Sequence, residues 1–152
     1  MKYLLILLSL LVTACASTPK GALQFDEVKI PSPSNGESTL VFYRKISPPA
    51  SYEMRVHIND IETVSLPNNA FSYVSLRPGA VKIKTSWSGW SGTPSREQNI
   101  EVSPNSILYL ELTSSVYTPW GLKLGSDTTQ PQSDSDAINV LRSCCKYVPS
   151  LL

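Results

Sequence analysis

The sequence predicts an all-β fold, an immunoglobulin-like antiparallel β-sandwich of about seven strands followed by a short C-terminal helix. Apolar and polar residues alternate with a period of two in several stretches, most clearly at 52–58 and 81–87. Turn-forming pairs such as Asn59-Asp60 separate these stretches at intervals of roughly 8–12 residues, the spacing of a sandwich or barrel. Only 16% of the residues are charged while Pro, Ser and Thr are plentiful, which favours a secreted β-domain over a helical one.

Seven segments have strand character, and turn-forming residues separate them. The run 40–44 is apolar up to its last residue, which predicts a strand that is buried on both faces. Asn59 and Asp60 tolerate left-handed backbone, and this suits a two-residue hairpin between two strands. The predicted strands are 40–44, 52–58, 61–66, 71–76, 81–87, 98–102 and 106–116, with turns at Arg77-Pro78-Gly79 and Pro104-Asn105 and a loop at 88–95.

The C-terminal part of the chain predicts a polar loop and then a helix. Residues 125–135 contain few apolar side chains and are expected to form a loop. Ser133, with Asp136 three residues on, has the spacing of a helix cap, and Pro149 is expected to end the helix. The predicted helix is 136–148, and its apolar stripe consists of Ala137, Val140, Leu141, Cys144 and Val148.

The first fifteen residues predict export and a lipid anchor. Lys2 precedes a short apolar core at 4–12, and small residues follow it, as in a secretory signal. The core is too short for a membrane-spanning helix, which needs about 20 apolar residues. The sequence Val12-Thr13-Ala14-Cys15 resembles the lipobox of bacterial lipoproteins. The resemblance implies cleavage before Cys15, a diacylglyceryl group on its sulfur, and acylation of its new amine with a fatty acid such as palmitate.

Location and domain organisation follow from that resemblance. Ala16, rather than the Asp that retains many lipoproteins in the inner membrane, implies the outer membrane of a Gram-negative bacterium, facing the periplasm. The chain is then divided into a signal peptide (1–14), the lipidated Cys with a flexible tether (15–37), a β-sandwich (38–117), and a loop with the C-terminal helix (118–152).

The middle of the chain has a sequence pattern of its own. Val56-His57-Ile58-Asn59-Asp60, Phe71-Ser72-Tyr73-Val74-Ser75-Leu76 and Pro78-Gly79-Ala80-Val81-Lys82-Ile83 alternate strands with Asn-Asp and Pro-Gly turns. This pattern resembles small bacterial lipoprotein domains grouped as domain-of-unknown-function family 2846, and it is also similar to PEGA-type surface β-domains. Neither family has an established catalytic site, so the resemblance assigns no residue a chemical role.

Composition argues against several classes of function. The chain has thirteen basic and twelve acidic residues, and removal of Lys2 leaves twelve of each, so no nucleic-acid partner is expected. His57 is the only histidine, and a small envelope hydrolase, the third alternative, would have to use it. It lies in mid-strand on the polar face, where a solvent-exposed side chain is favoured over a catalytic one. One His and two adjacent Cys do not make a zinc site, so no metal, cofactor or catalytic residue is predicted.

Four aromatic residues are the candidates for binding. Trp87 and Trp90 lie in a Ser- and Gly-rich stretch, 86–92, that resembles a recognition loop, and Tyr117 and Trp120 form a second group. Such surfaces suit a glycan or an envelope protein. The alternatives are that Trp87 ends a strand and faces the core, and that the other side chains cover the edges of the sandwich.

Cys144 and Cys145 are adjacent, and free thiols in an oxidising compartment are exposed to oxidation, so both are candidates for a disulfide. A bond between neighbours is one alternative. Helical geometry, which turns successive side chains by about 100°, favours a buried Cys144 and an exposed Cys145 that forms a disulfide-linked dimer.

These observations favour a non-catalytic binding or envelope-structural module on a lipid anchor. The alternative is an accessory subunit of a larger envelope or secretion assembly.

Overall fold

The computed structural model describes residues 18–89, 93–117 and 123–152, and in these ranges the fold is mostly β with one short C-terminal α-helix. This confirms the predicted class, but the described residues contain nine strands rather than seven. A short 3-10 helix, Phe25–Glu27, precedes them, and α1 spans Asp134–Cys144. The strands are β1 (Ser38–Arg44), β2 (Met54–Ile58), β3 (Ile61–Leu66), β4 (Ala70–Leu76), β5 (Gly79–Trp87), β6 (Arg96–Val102), β7 (Ile107–Tyr117), β8 (Lys123–Gln132) and β9 (Lys146–Tyr147).

The strands form two sheets. One has the order β8-β7-β1-β4-β9 and the other the order β3-β2-β5-β6. Most neighbours are antiparallel, as predicted, but β1 pairs with β7 in parallel and β4 pairs with β9 in parallel. Parallel neighbours cannot be joined by a tight turn, so local turn signals could not reveal these two pairings.

The main core lies between the two sheets, and strands of both sheets supply it. Leu40 and Phe42 of β1 have no exposed surface, and Met54 and Val56 of β2 face them from the other sheet. Alternate residues of each strand point inward, which is the pattern that the period-two alternation predicted. The other buried members are Val64, Leu66, Ala70, Val74, Val81, Ile83, Val102, Leu110 and Leu112.

A second apolar cluster covers the outer face of the five-stranded sheet. Val41 and Tyr43 of β1 point away from the main core and pack with Ala137 and Leu141 of α1. All seven residues of β1 are therefore buried, as its apolar run predicted. The sheet is sandwiched between a second sheet on one side and the helix on the other.

The turn between β2 and β3 follows the prediction. Asn59 and Asp60 have positive φ angles of 48° and 69°, which is the conformation that a two-residue hairpin of this type requires. The pairing shifts register between Val56 and His57, so a bulge lies just before the turn.

The predicted loop at 125–135 is wrong for most of its length, because residues 123–132 form strand β8 along β7. β8 is the terminal strand of its sheet and pairs there with β7, and a polar strand is tolerated at such an edge. Because β8 contains few apolar residues, hydrophobic alternation does not indicate it.

The helix is shorter than predicted and starts earlier. Ser133 caps it, since its hydroxyl accepts a hydrogen bond from the backbone N–H of Asp136, as predicted. It ends at Cys144 because Cys145 adopts an extended conformation with φ −115° and ψ 137°. The next residues form β9, and Val148 packs against the main core instead of extending the helical stripe.

The chain on both sides of the sandwich packs against it. In the predicted tether, Gln24 forms a β-bridge with Lys146, and Phe25 packs on Phe71 with ring centroids 5.5 Å apart. After β9 the chain crosses to the other sheet, where the backbone N–H of Leu151 donates to Thr63 O at 2.8 Å. Among the described residues, no helix is long and apolar enough to cross a membrane.

Candidate functional site

One end of the sandwich combines a buried arginine, a hydrogen-bonded loop and Trp87, which is one of the predicted binding residues. β1, β3 and β5 end there, and their antiparallel partners β4 and β2 begin there, with Arg44 opposite Ala70 and Trp87 opposite Met54. β7 continues past this level to Tyr117. We call it the Arg44 end and define it as Arg44, the loop 45–53 and residues 87–89. This loop connects the last residue of β1 to the first residue of β2.

Arg44 has no exposed surface, and the chain's own oxygens satisfy its guanidinium. Nε donates to the Ser47 hydroxyl at 3.3 Å, and Nη2 donates to the carbonyls of Ser47 and Pro49 at 3.0 and 3.1 Å. Nη1 donates to the carbonyls of Tyr52 and Leu66 at 2.8 and 3.2 Å. A guanidinium has five N–H groups. All five are therefore used within the protein, and none remains for a ligand.

The acceptors around Arg44 are neutral, so carbonyl dipoles rather than a carboxylate stabilise its charge. Burial lowers the pKa of Arg44 to about 10, which leaves the group protonated at neutral pH. The Trp87 ring adds a cation–π contact, with its centroid 5.0 Å from Cζ of Arg44. Arg44 thus organises the surrounding loop and fixes the position of Trp87.

Other contacts hold the loop 45–53 along its length. The backbone N–H of Ser47 donates to Oδ1 of Asn68 at 3.0 Å, and Nδ2 of the same Asn68 donates to Ala50 O at 3.0 Å. The Ser114 hydroxyl donates to Pro48 O. Ile46, which lies between Arg44 and these contacts, is 73% exposed. The loop therefore presents a large apolar side chain from a fixed backbone.

The end of β5 is joined to the same loop. Ser88 N–H donates to Glu53 O at 3.0 Å, and Glu53 N–H donates to the Ser88 hydroxyl at 3.0 Å. Gly89 has φ 71°, and a Cβ at that position would lie 3.5 Å from the Tyr52 ring. Residues 87–89 and the loop therefore form one continuous surface.

The structure locates part of the predicted aromatic site. Trp87 is half-buried and contacts both the core and Arg44, as expected for a strand end that faces the core. Tyr117 ends β7 about five residues beyond the level of Arg44, and its side chain lies outside what the structure describes. Trp90, Trp120 and Cys15 lie outside the described residues. Arg44 was not identified from the sequence as a site residue. Its position at the end of an apolar run was the one signal that it could be buried.

Cys144 and Cys145 form a disulfide with each other. The expected burial is reversed: Cys145 is fully buried and Cys144 is half-buried, because the helix ends between them and the helical rotation does not apply. Sγ of Cys145 lies 3.9 Å from the carbonyl oxygen of Arg44. A dimer linked through Cys145 would require this bond to open and the buried sulfur to reach the surface.

His57 has a polar partner across the sheet. Its Nε2 lies 2.9 Å from the Ser86 hydroxyl, and its neighbours in register on the adjacent strands are Glu62 and Lys84. The pair lies on the outer face of the four-stranded sheet, opposite the core, which favours a structural hydrogen bond. Within the described ranges, no three His, Cys, Asp or Glu side chains form a group that could hold a metal ion.

Comparisons with protein-family models, with curated proteins and with solved structures found no match.

Proposed function

We propose that the protein is a lipid-anchored component of the cell envelope, held at the periplasmic face of the outer membrane through Cys15. Its sandwich acts as a non-catalytic binding module, and the Arg44 end is its binding surface. The anchor is supported by the signal sequence and by Val12-Thr13-Ala14-Cys15. A diacylglyceryl group with a further acyl chain would hold the domain firmly, whereas one chain binds a bilayer only marginally.

One observation supports the binding role: four of the five hydrogen bonds from Arg44 hold the loop 45–53, and Ile46 is exposed on this loop. A surface that is already ordered before it meets its partner avoids the entropy cost of ordering it on contact. The saturated guanidinium belongs to the scaffold of that surface and is not a ligand for the partner.

We also propose that the sandwich has an immunoglobulin-like topology. It is supported by the way in which the chain crosses between the sheets after β1, β3, β4 and β6, so that strands that are distant in sequence become neighbours.

A second role is a subunit of a larger envelope or secretion assembly. Ile46 favours it as well, because large apolar side chains in fixed positions anchor protein interfaces. The binding module and the assembly subunit would both use the Arg44 end. They differ in whether this surface binds a separate ligand or a neighbouring subunit.

The anchor is tested by expressing the full chain, with its signal sequence, in a Gram-negative host. We expect the wild-type protein in the membrane fraction, with a mature N-terminal peptide that begins at Cys15 and has the mass of an acylated cysteine. Cys15→Ser should remove the lipid mass and release the protein from washed membranes. A wild-type mature chain without lipid would refute the anchor.

A further inference from the structure

We propose that the Cys144–Cys145 disulfide is a redox-sensitive switch. While the bond is closed, it ends α1 and keeps β9 in the sheet, and a dithiol that opens the bond releases the segment 145–152. The bond is the site of reaction and the dithiol is the co-reactant. This inference goes beyond the proposed function, and it depends neither on the lipid anchor nor on the role of the Arg44 end.

A disulfide between adjacent residues is incompatible with an α-helix. Successive helical residues are turned by about 100° and rise by about 1.5 Å, which places their Cβ atoms about 5 Å apart. A disulfide joins Cβ atoms that are about 3.5–4.5 Å apart. Cys145 accordingly leaves the helix, with φ −115° and ψ 137°, although its N–H still donates to Leu141 O at 3.1 Å. The bond therefore fixes the residue at which α1 ends.

The residues after the bond also have the spacing of a longer helix. Val148 lies four residues beyond Cys144 and continues the apolar stripe, and Pro149 follows it. In the structure these residues form β9 instead, and Val148 packs against the main core. The sequence of 145–148 is thus compatible with two arrangements, and the closed disulfide excludes the helical one.

Four backbone N–H groups hold the segment 145–152 in its extended arrangement. They donate at 2.8–3.0 Å to the N-terminal segment, to the turn before β4, to β4 itself and to β3: Tyr147 to Leu23 O, Lys146 to Asn69 O, Val148 to Phe71 O and Leu151 to Thr63 O. Release of this segment would break all four hydrogen bonds. These amides are therefore the positions at which the state of the switch can be measured.

The two sulfurs are placed unequally. Cys144 is half-buried and Cys145 is fully buried, so a reagent in solution approaches from the side of Cys144. Sγ of Cys145 lies 3.9 Å from the carbonyl oxygen of Arg44. A sulfur in a disulfide has no hydrogen to donate, so only the reduced thiol can use this acceptor. The buried position therefore accommodates the reduced form as well as the oxidised one.

The reaction is thiol–disulfide exchange. One thiolate of the dithiol attacks Sγ of Cys144, the bond between the two cysteines breaks, and Sγ of Cys145 leaves as a thiolate that takes up a proton. The second thiolate of the dithiol attacks the first sulfur of the reagent and releases Sγ of Cys144, which also takes up a proton. The cysteine pair gains two electrons and two protons, and the dithiol becomes a disulfide.

The bond is expected to act on its own segment rather than on the whole fold. A disulfide stabilises a protein mainly by restricting the unfolded chain, and this effect increases with the number of residues in the closed loop. Cys144 and Cys145 are neighbours, so the loop is the shortest that a disulfide can close. The main effect of opening the bond is therefore expected in the residues that follow it.

The switch is tested by amide hydrogen exchange, measured residue by residue on the full chain with and without dithiothreitol. The reporters are the four amides of the segment 145–152. The reference amides are Asn59 N–H, which donates to Lys82 O, and Thr39 N–H, which donates to Ser106 O, each at 2.9 Å. Cys144→Ser is the control variant, because it lacks the bond and retains the buried Cys145.

We expect dithiothreitol to accelerate exchange at the four reporter amides by about tenfold or more, and to change the rates at Asn59 and Thr39 by less than about twofold. Cys144→Ser should exchange at the fast rates with and without the reagent, since it has no bond to open. Equal reporter rates in oxidised and reduced wild type would overturn the switch. Equal acceleration at the reference amides would also overturn it, because the bond would then support the whole fold.

A second measurement tests whether a dithiol opens the bond in the folded protein. The chain is treated with dithiothreitol without denaturant, the reagent is removed in acid, and the cysteines are then alkylated with iodoacetamide in denaturant. We expect mass spectrometry to find one added group on Cys144 and one on Cys145. A bond that opens only when the chain is denatured before reduction would overturn the dithiol as the co-reactant.

Discussion

Replacement of Arg44 by methionine tests whether a buried guanidinium holds the Arg44 end together. Methionine fills a similar space but donates nothing, so the four carbonyls of Ser47, Pro49, Tyr52 and Leu66 lose their donors. The bond to Leu66 is buried, and an unpaired acceptor there costs about 1–3 kcal/mol. The loop carbonyls are partly accessible to water and each lose about 0.5–1.5 kcal/mol.

An opposing effect reduces this sum, because the variant no longer buries a charge, whose desolvation costs several kcal/mol. We therefore expect Arg44→Met to lower the free energy of unfolding by about 2–4 kcal/mol, which for a domain of this size is roughly 10 °C in Tm. Arg44→Lys keeps the charge but lacks the planar fork, so it should recover only part of this loss.

The assay is equilibrium unfolding in urea, followed by circular dichroism and by tryptophan emission, which reports on Trp87 among others. Arg55→Met is the matched control, since the Arg55 side chain is 44% exposed and its ion pair with Glu62 is long, at 3.7 Å. It should change stability by no more than about 0.5 kcal/mol. If Arg44→Met were as stable as Arg55→Met, the guanidinium would not organise this end.

Three further predictions concern the rest of the domain. Burial raises the pKa of Tyr43 above its usual value of about 10, so above that pH the folded state keeps a proton that the unfolded state loses, and stability should fall. When the free energy of unfolding is measured against pH, Tyr43→Phe should show a shallower decline than the wild type. Identical slopes would contradict this cause. Leu141→Ala should lower the free energy of unfolding in urea by about 2–5 kcal/mol, because it leaves a cavity under α1. Leu152→Ala, at a side chain that is 74% exposed, should leave that free energy almost unchanged. Equal losses of stability in the two variants would count against the second cluster. In the denatured chain, iodoacetamide should label Cys144 and Cys145 by mass spectrometry only after reduction, and labelling beforehand would show that the disulfide is absent.

Sequence reasoning succeeded where the structure depends on local rules. The Asn59-Asp60 hairpin depends on the left-handed tolerance of two adjacent residues, and the Ser133 cap depends on a side chain and a backbone N–H three residues away. The burial of β1 on both faces followed from the apolar run itself. In each case the information lies within a few residues of the feature.

The features that were missed depend on distant partners. β8 is polar and is ordered by its pairing with β7, so alternation could not reveal it. Arg44 is buried because acceptors as far along the chain as Leu66 converge on it. Cys145 is buried because the chain leaves the helix at that residue to pair with β4, and nothing in the helical stripe indicates that. The Arg44 end could therefore be assembled only from the three-dimensional arrangement.

The crossing of the C-terminal segment from β9 to β3 restricts how the sandwich can take up a foreign strand. Leu151 occupies a hydrogen-bonding position on β3, and β9 covers the outer edge of β4 at its start. Strand addition needs free N–H and C=O groups along an edge, and this side has its own chain there. In the part of the chain that the structure describes, β6 and β8 form the other side, linked by the Gln98 amide, which donates to Thr129 O at 2.9 Å. A foreign strand that adds along β3 or β4 would therefore have to displace the protein's own backbone at Thr63, or at Ala70 and Phe71.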